Sequence, residues 1–363
     1  MKEKICFLIA NIDGFGGTER VTSVIANGLV KRGYLIDIIS CKDRENRKYI
    51  LDNEINVIYL KENKCQNSMI RKLKTLMDIQ KTILNREYNI IVAVDMYLYL
   101  YLYPYVKKNN CKYIAWEHFN YYINEIKGER FARKLAVKSA DKVVVLGKND
   151  MKNYSEHFPK ATNITYIYNP VSFVVSSHNN LKKKHEVIAV GRLEKQKGFD
   201  RLIESWAKVE STLTEESDWH LNIYGEGTQR KKLEGMIASK NLHRVNLKGF
   251  CNDIEEKMST ASIFTLSSRY EGFVLVLIEA LANGMACVSY DCKEGPAELI
   301  IDDFNGFLVQ NGNIDCFSDR LIRLINDDTL RNQFSKNSNV NLDRFEINTV
   351  LDRWEELFKE LSS

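Results

Sequence analysis

The strongest constraint on this chain is a pattern that runs twice. Short apolar runs alternate with longer stretches in which apolar residues recur every three or four positions, once in each half of the sequence. In the first half, residues 5–10 read as a buried strand and Gly14-Phe15-Gly16-Gly17 as a turn. Val21, Val24, Ile25, Leu29 and Val30 form one face of a helix that Gly33 ends. Ile36, Ile38 and Ile39 open a second strand. Further strands are expected at 57–60, 90–94, 113–116 and 142–146, with a helix over 70–84. A polar stretch, 176–184, reads as a linker, and the pattern then restarts. Strands are expected at 187–190, 221–224, 245–247, 263–266 and 286–290, and helices at 199–209 and 229–240. A last helix over about 348–361 carries Val350, Leu351, Trp354, Leu357 and Phe358 on one face. Strands alternating with helices imply a parallel sheet covered on both faces. The doubling predicts an α/β chain of two Rossmann-like domains, 1–175 and 176–345, with a terminal helix, 346–363, returning to the first.

The length of 363 residues suits two separate cores. Residues 5–10 are too few to cross a bilayer, and the apolar stretch 90–106 is broken by Asp95 and Pro104. No secretory signal is read at the N-terminus. Eight cysteines show neither CxxC spacing nor accompanying histidine pairs, which points to reduced thiols and a cytoplasmic location. The net charge of +4 hides an asymmetry. Residues 1–181 carry 28 Lys and Arg against 18 Asp and Glu, and residues 182–363 carry 24 against 30. A basic first half suits an anionic lipid surface, a phosphorylated substrate or nucleic acid, or is simply a solvated lysine surface. No recognition motif accompanies the basic residues, which argues against nucleic acid. Residues 64–86 combine Arg71, Lys72, Lys74 and Lys81 with Met69, Ile70, Leu73, Leu76, Met77, Ile79 and Ile83. This is the pattern of a helix lying on an anionic membrane at the inner face of the cell membrane, and equally of a helix covering a sheet. Lys127, Arg130, Arg133, Lys134 and Lys138 extend the basic face.

The chemistry concentrates between Ser267 and Glu298. Glu271 precedes Gly272, and Glu279 follows seven residues later within an apolar run, Val274–Ala282. A helix beginning near Gly272 would direct free N–H groups at an anion or a sugar oxygen. An acid among so many apolar neighbours is expected to be buried and to need a partner. Two surface glutamates on an amphipathic helix would be the plainer reading. Gly16 and Gly17 open the first helix, where a ligand can approach the backbone. They are not a dinucleotide fingerprint, because Glu19 stands where the third glycine is required.

The Glu-x7-Glu element resembles that of the family-4 retaining glycosyltransferases of GT-B fold, and the resemblance covers nearly the whole chain. Gly16-Gly17-Thr18-Glu19-Arg20 is similar to their N-terminal Gly-Gly-x-Glu-Arg. Val190-Gly191-Arg192-Leu193 with Gln196-Lys197-Gly198-Phe199-Asp200 resembles their Gly-Arg-Leu…Lys-Gly block. Tyr224-Gly225-Glu226-Gly227 and Lys248-Gly249-Phe250 match two further glycine turns. Val274 stands where many relatives carry proline.

The resemblance implies two domains facing across a cleft that closes on a nucleotide diphosphate sugar. It assigns Arg192 and Lys197 to the diphosphate, Glu279 to the ribose, Glu271 to the donor sugar, and the backbone of Gly272 and Phe273 to phosphates and sugar. Gly16, Gly17, Gly191, Gly225 and Phe250 complete the donor side. Two fixed cations would neutralise the leaving diphosphate without a metal, and no Asp-x-Asp motif is present to hold one. His118 follows an expected strand, as an active-site histidine does in related enzymes. Asp95, Glu117 and Asn120 are candidates for the acceptor side.

The expected reaction moves a hexose or N-acetylhexosamine from a UDP-sugar to a glycan acceptor on a lipid carrier, with no cofactor and no metal. This suits surface-polysaccharide, capsule or O-antigen synthesis. An epimerase or phosphorylase on the same fold, or a catalytically silent carbohydrate-binding subunit, are the alternatives.

Overall fold

The computed structural model describes residues 3–14, 16–61, 67–106, 110–123, 128–171, 183–293 and 295–362. The chain divides into two compact units, Met1–Ser172 with Asp343–Ser363, and Phe173–Leu342.

In the first unit the chain runs β1 (Lys4–Ile9), α1 (Gly17–Lys31), β2 (Leu35–Ser40), β3 (Asn56–Tyr59), α2 (Ser68–Leu84), β4 (Ile90–Val94), α3 (Met96–Leu102), β5 (Lys112–Trp116), α4 (Glu129–Ser139), β6 (Lys142–Val145), α5 (Lys148–His157) and β7 (Ile164–Tyr166). The strands form one parallel sheet in the order β3-β2-β1-β4-β5-β6-β7. Its central strands are apolar without alternation because both faces are covered: all five residues of β4 are buried. The chain leaves β1 toward β2 and returns to β4 on the other side. The loops after β1 and β4 therefore flank the point where strand order reverses, the place where open α/β sheets take ligands.

The second unit repeats the plan with β8 (Lys184–Val190), α6 (Phe199–Glu210), β9 (His220–Tyr224), α7 (Arg230–Ser239), β10 (Val245–Gly249), α8 (Ile254–Thr260), β11 (Ala261–Leu266), α9 (Leu275–Ala282), β12 (Ala286–Asp291), α10 (Pro296–Leu299), β13 (Gly306–Gln310), α11 (Ile314–Asn326) and α12 (Asp328–Asn337). Its parallel sheet has the order β10-β9-β8-β11-β12-β13, so strand order reverses at β8/β11. Leu202, Ile203 and Trp206 of α6 and Phe317, Leu321 and Leu324 of α11 are buried in its core.

The last helix, α13 (Ile347–Ser362), belongs to the first unit. Its stripe of Val350, Leu351, Trp354, Leu357 and Phe358 is buried, each side chain worth roughly 1.5–3 kcal/mol of transfer free energy. Leu351 sits against Gly28 of α1, where any side chain would collide with it. Trp354 meets the Trp116 ring edge-on at 5.0 Å between centroids, and Arg32 pairs with Asp352 and Glu355.

Three sequence expectations change. The helix carrying Glu279 begins at Leu275, not near Gly272, because Val274 at φ −93° and ψ 72° is its non-helical N-cap. The site therefore presents Gly272 and Phe273 as loop backbone ahead of the helix. Arg133 does not extend the basic face: it is buried and paired with Glu117 and Glu129. Helices α3, α4, α5, α8, α10, α11 and α12 and strands β7 and β13 were not anticipated; α4, α5 and α12 are mostly polar, with few residues reaching the core. The linker residues 176–182, with Phe15, Lys64 and Lys127, lie outside the described residues.

Candidate active site

The site builds around the β8/β11 crevice of the second unit. The loop after β8 carries Gly191, Arg192 and Lys197, and the loop after β11 carries Ser268, Glu271, Gly272 and Phe273. Several contacts bind the two loops together. Ser267 Oγ donates to the Lys197 carbonyl at 2.8 Å, Arg269 N donates to the Gln196 carbonyl at 2.8 Å, and Gln196 Nε2 donates to the Tyr270 carbonyl at 3.1 Å. Arg269 also grips Asp200 through both carboxylate oxygens at 2.8 Å, and this fork holds Asp200 below the usual carboxylate range against the opposing effect of its burial.

On this frame Lys197 Nζ donates to Glu271 Oε1 at 2.7 Å, and Ser268 Oγ donates to the same oxygen. Glu271 and Ser268 are buried, whereas Arg192 is exposed at the mouth of the loop. Glu279 is buried on α9. Phe250, after β10, is exposed. Gly225 ends β9 at φ +140°, and a side chain there would fall on the Gly191 carbonyl, so only glycine lets the β8 and β9 loops approach. Ser268 and the Asp200–Arg269 clamp escaped the sequence reading. The signal for them was a Ser-Ser-Arg run closing a buried strand.

In the first unit the candidate residues cluster at the same edge of the sheet. Gly16 is the N-cap of α1, and the Glu19 carboxylate folds back over Gly14 and Gly16. An acid in the first turn is where the helix dipole favours one. Asp95 ends β4 with φ +109°, a conformation costing a non-glycine residue roughly 1–3 kcal/mol, and its carboxylate accepts from Tyr97 N at 2.8 Å. Burial, and then the Glu117 carboxylate, push it up to about 7.

His118 is buried, its ring 4.3 Å from that of Trp116, and among the described residues its Nε2 has no hydrogen-bond partner. Burial pushes its pKa down to about 3, so the imidazole is neutral at physiological pH. Glu117 and Asn120 make contacts within the first unit. Glu117 accepts from Arg133 Nε at 2.7 Å and Tyr154 Oη at 2.6 Å, and Asn120 Oδ1 accepts from Tyr122 N and Ile123 N. They shape the loop beyond His118. Among the described residues no three His, Cys, Asp or Glu side chains gather into a metal-binding group.

Two parallel α/β sheets, each with its loops gathered at a strand-order reversal, are the architecture of the GT-B glycosyltransferases. Comparison with known proteins agrees. The family described as Glycosyl transferases group 1 matches residues 174–340, and Glycosyltransferase Family 4 matches residues 15–173. The chain is 30% identical to an uncharacterized glycosyltransferase of Haemophilus influenzae, covering 97% of this chain and 99% of that protein. It is 27% identical to the amylovoran biosynthesis glycosyltransferase AmsD of Erwinia amylovora, covering 98% and 99%. It is 26% identical to an alpha-1,4-N-acetyl-D-galactosaminyltransferase of Campylobacter jejuni, covering 99% of each, whose name gives a diNAcBac-PP-undecaprenol-linked glycan as acceptor. Among solved structures, a variant of S. aureus TarM in complex with UDP superposes with a TM-score of 0.84 at 18% identity, covering 98% and 99%. Anabaena HepE in complex with UDP-glucose superposes at 0.80 and 21% identity, covering 99% and 100%. The chain belongs to glycosyltransferase family 4. Among the described residues no helix is long and apolar enough to cross a membrane.

Proposed function

We propose that this glycosyltransferase moves a hexose or N-acetylhexosamine from a UDP-sugar to a lipid-linked glycan, with retention at the anomeric carbon, in surface-polysaccharide synthesis. The observation that carries the reading is the Lys197–Glu271 pair at the β8/β11 crevice, with Arg192 exposed in the same loop as Lys197. Lys197 and Arg192 supply preorganised positive charge for the diphosphate as it departs, so the reaction needs no metal. Glu271, held by Lys197 and Ser268, accepts hydrogen bonds from sugar hydroxyls, and Glu279 serves the ribose. His118 stays neutral and hydrogen-bonds the sugar or the departing phosphate through Nε2. The acceptor hydroxyl attacks from the face the nucleotide leaves, and the leaving phosphate takes its proton. The names of the Campylobacter relative and of the HepE complex support the lipid-linked acceptor and the UDP-sugar.

The test pairs calorimetry with a transfer assay. UDP should bind and GDP should bind at least about tenfold more weakly, a difference of ~1.4 kcal/mol. Transfer from UDP-sugars should persist in EDTA. Preference for GDP, inversion in the product, or loss of turnover with EDTA would each overturn the corresponding part.

A further inference from the structure

The loop that carries His118 continues into Tyr121 and Tyr122, and both are fixed against α5. Asn120 Oδ1 accepts from the N–H groups of Tyr122 at 2.9 Å and Ile123 at 3.2 Å, which sets the turn. Tyr121 N donates to Asp150 Oδ1 in the first turn of α5 at 2.9 Å, and the Tyr121 ring packs 4.1 Å from His157 and 5.1 Å from Tyr154 between centroids. Tyr122 stands nearly perpendicular to Tyr121, at 87°, and to His157, at 80°, and its Oη donates to Asn153 Oδ1 at 3.5 Å. The residue is 41% exposed.

The helix beside it carries a line of planar polar groups. Asn149, Asn153 and His157 recur every four residues and so lie along one stripe of α5, about 12 Å from first to last. Asn149 and His157 are exposed and Asn153 is half-buried. Asparagine is a weak helix former because its amide competes with the backbone, so two of them in a helix of 10 residues do not serve helix stability. Amide and imidazole groups both donate and accept hydrogen bonds, as sugar hydroxyls do. The tyrosine adds a flat apolar body with a polar tip. The neighbouring charges are engaged. Lys152 pairs with Glu156 at 4.0 Å, Lys148 lies 5.9 Å from the centre of the Tyr166 ring, and Asp150 is buried and accepts from Tyr121. The line therefore offers hydrogen bonds with little net charge, which suits a neutral oligosaccharide better than a phosphate or a carboxylate.

We propose that Tyr122, Asn149, Asn153 and His157 form a carbohydrate-binding line that takes the neutral glycan portion of the acceptor, with a pyranose ring on Tyr122 and hydroxyls on the two amides and the imidazole. α5 starts where β6 ends, so the line begins at the edge of the sheet that carries His118, and Tyr122 stands four residues, at most about 14 Å, beyond His118. It receives a sugar residue further along the acceptor than the one that reacts. The inference rests on the proposed glycan acceptor.

The test is binding of the whole chain, with UDP present, to an array of bacterial surface glycans from mono- to tetrasaccharides. Calorimetry follows with the glycan bound most tightly and, separately, with UDP. The parent should bind uncharged glycans, more tightly as they lengthen from mono- to trisaccharides. Tyr122→Ala and Asn149→Ala/Asn153→Ala should each lose roughly tenfold or more in that affinity, as when an aromatic or hydrogen-bonding contact at the centre of an interface is truncated. Tyr122→Phe should keep most of it, and all three variants should bind UDP as the parent does. The alanine pair replaces two weak helix formers by a strong one, so it should melt no lower than the parent, and its loss of glycan is not a loss of fold. No binding of any uncharged glycan, binding confined to phosphorylated or carboxylated ones, or parental affinity in both alanine variants would overturn the inference. UDP binding without glycan binding removes this line alone. Glycan binding that Tyr122→Ala weakens, in a protein that binds no UDP, keeps the line and removes the donor reading.

Discussion

Lys197 Nζ sits 2.7 Å from Glu271 Oε1, joining the loop after β8 to the loop after β11. The two charges come from segments 74 residues apart, and each holds the other at the mouth of the crevice. Removing one partner leaves the other partly buried and uncompensated, which costs more than the pair contributes. Lys197→Ala and Glu271→Gln should each lower turnover by about 10²-fold, the scale of losing one preorganised donor. Glu271→Gln should reduce UDP affinity far less than turnover. A double variant no worse than either single one would identify the pair as a unit. Near-parental turnover in both single variants would remove the pair from the site.

Gly225 offers a test of the crevice that touches no charge. Its φ of +140° suits glycine alone, and an added methyl group would strike the Gly191 carbonyl. Gly225→Ala should destabilise the protein by about 1–3 kcal/mol and push the Arg192 loop away from the nucleotide. Thermal denaturation and UDP calorimetry should therefore both register the change. An unchanged melting temperature would show that the two loops are not held as described.

The same two loops show what was legible in the sequence. Lys197, Glu271 and the glycines stood out in the sequence through their resemblance to the family-4 motifs, and the structure brings Lys197 and Glu271 into contact. The buried strands were readable because both faces are covered and their apolar runs are unbroken. Helices such as α5 were not, because only Asp150 and Tyr154 of its ten residues are buried and no apolar stripe results. The partners of Glu117 and Asn120 were hidden for another reason. Arg133 and Tyr154 for one and the next backbone N–H groups for the other are set by tertiary packing and by the turn.

His118 couples the site to pH through its burial. Its folded pKa of about 3 lies below the ordinary 6.5. The unfolded chain therefore binds a proton over that window which the folded protein refuses. The stability that neutral His118 contributes is complete above pH 6.5 and is lost as the pH falls toward 3. His118→Gln should melt with a shallower decline between pH 6.5 and 4, while its turnover falls and its UDP affinity holds. Parallel melting curves for parent and variant would refute the buried neutral imidazole.

Trp354 lies behind His118 through Trp116, with ring centroids 5.0 Å apart between the tryptophans and 4.3 Å from Trp116 to His118. Trp354→Ala should cost about 3–5 kcal/mol by leaving a cavity. Trp354→Phe should restore much of that stability and most of the turnover, because it refills the space behind Trp116. If Trp354 positions His118, the loss in the alanine variant should appear in kcat more than in KM. A variant that melts early yet turns over normally at low temperature would confine Trp354 to a structural part.

Asp95 combines backbone strain with an unsettled charge, and both can be read separately. Its φ of +109° is relieved in glycine, so Asp95→Gly should gain back part of what loss of the carboxylate costs. Its pKa, raised from 3.8 to about 7 by burial and by the Glu117 carboxylate, means that the folded protein keeps a proton the unfolded chain releases. The stability tied to that proton is complete below pH 3.8 and is lost as the pH rises through 7. Asp95→Asn holds a neutral group at every pH. It should gain stability relative to the parent above pH 7 and show no such gain near pH 4. If Asp95 receives the acceptor, the same variant should also lose turnover at saturating donor while binding UDP as the parent does, and its rate should no longer rise through pH 7 with Asp95 ionisation. An Asp95→Asn enzyme that gains the stability but keeps its full rate would leave Asp95 as a strained structural residue and move the acceptor elsewhere along this edge.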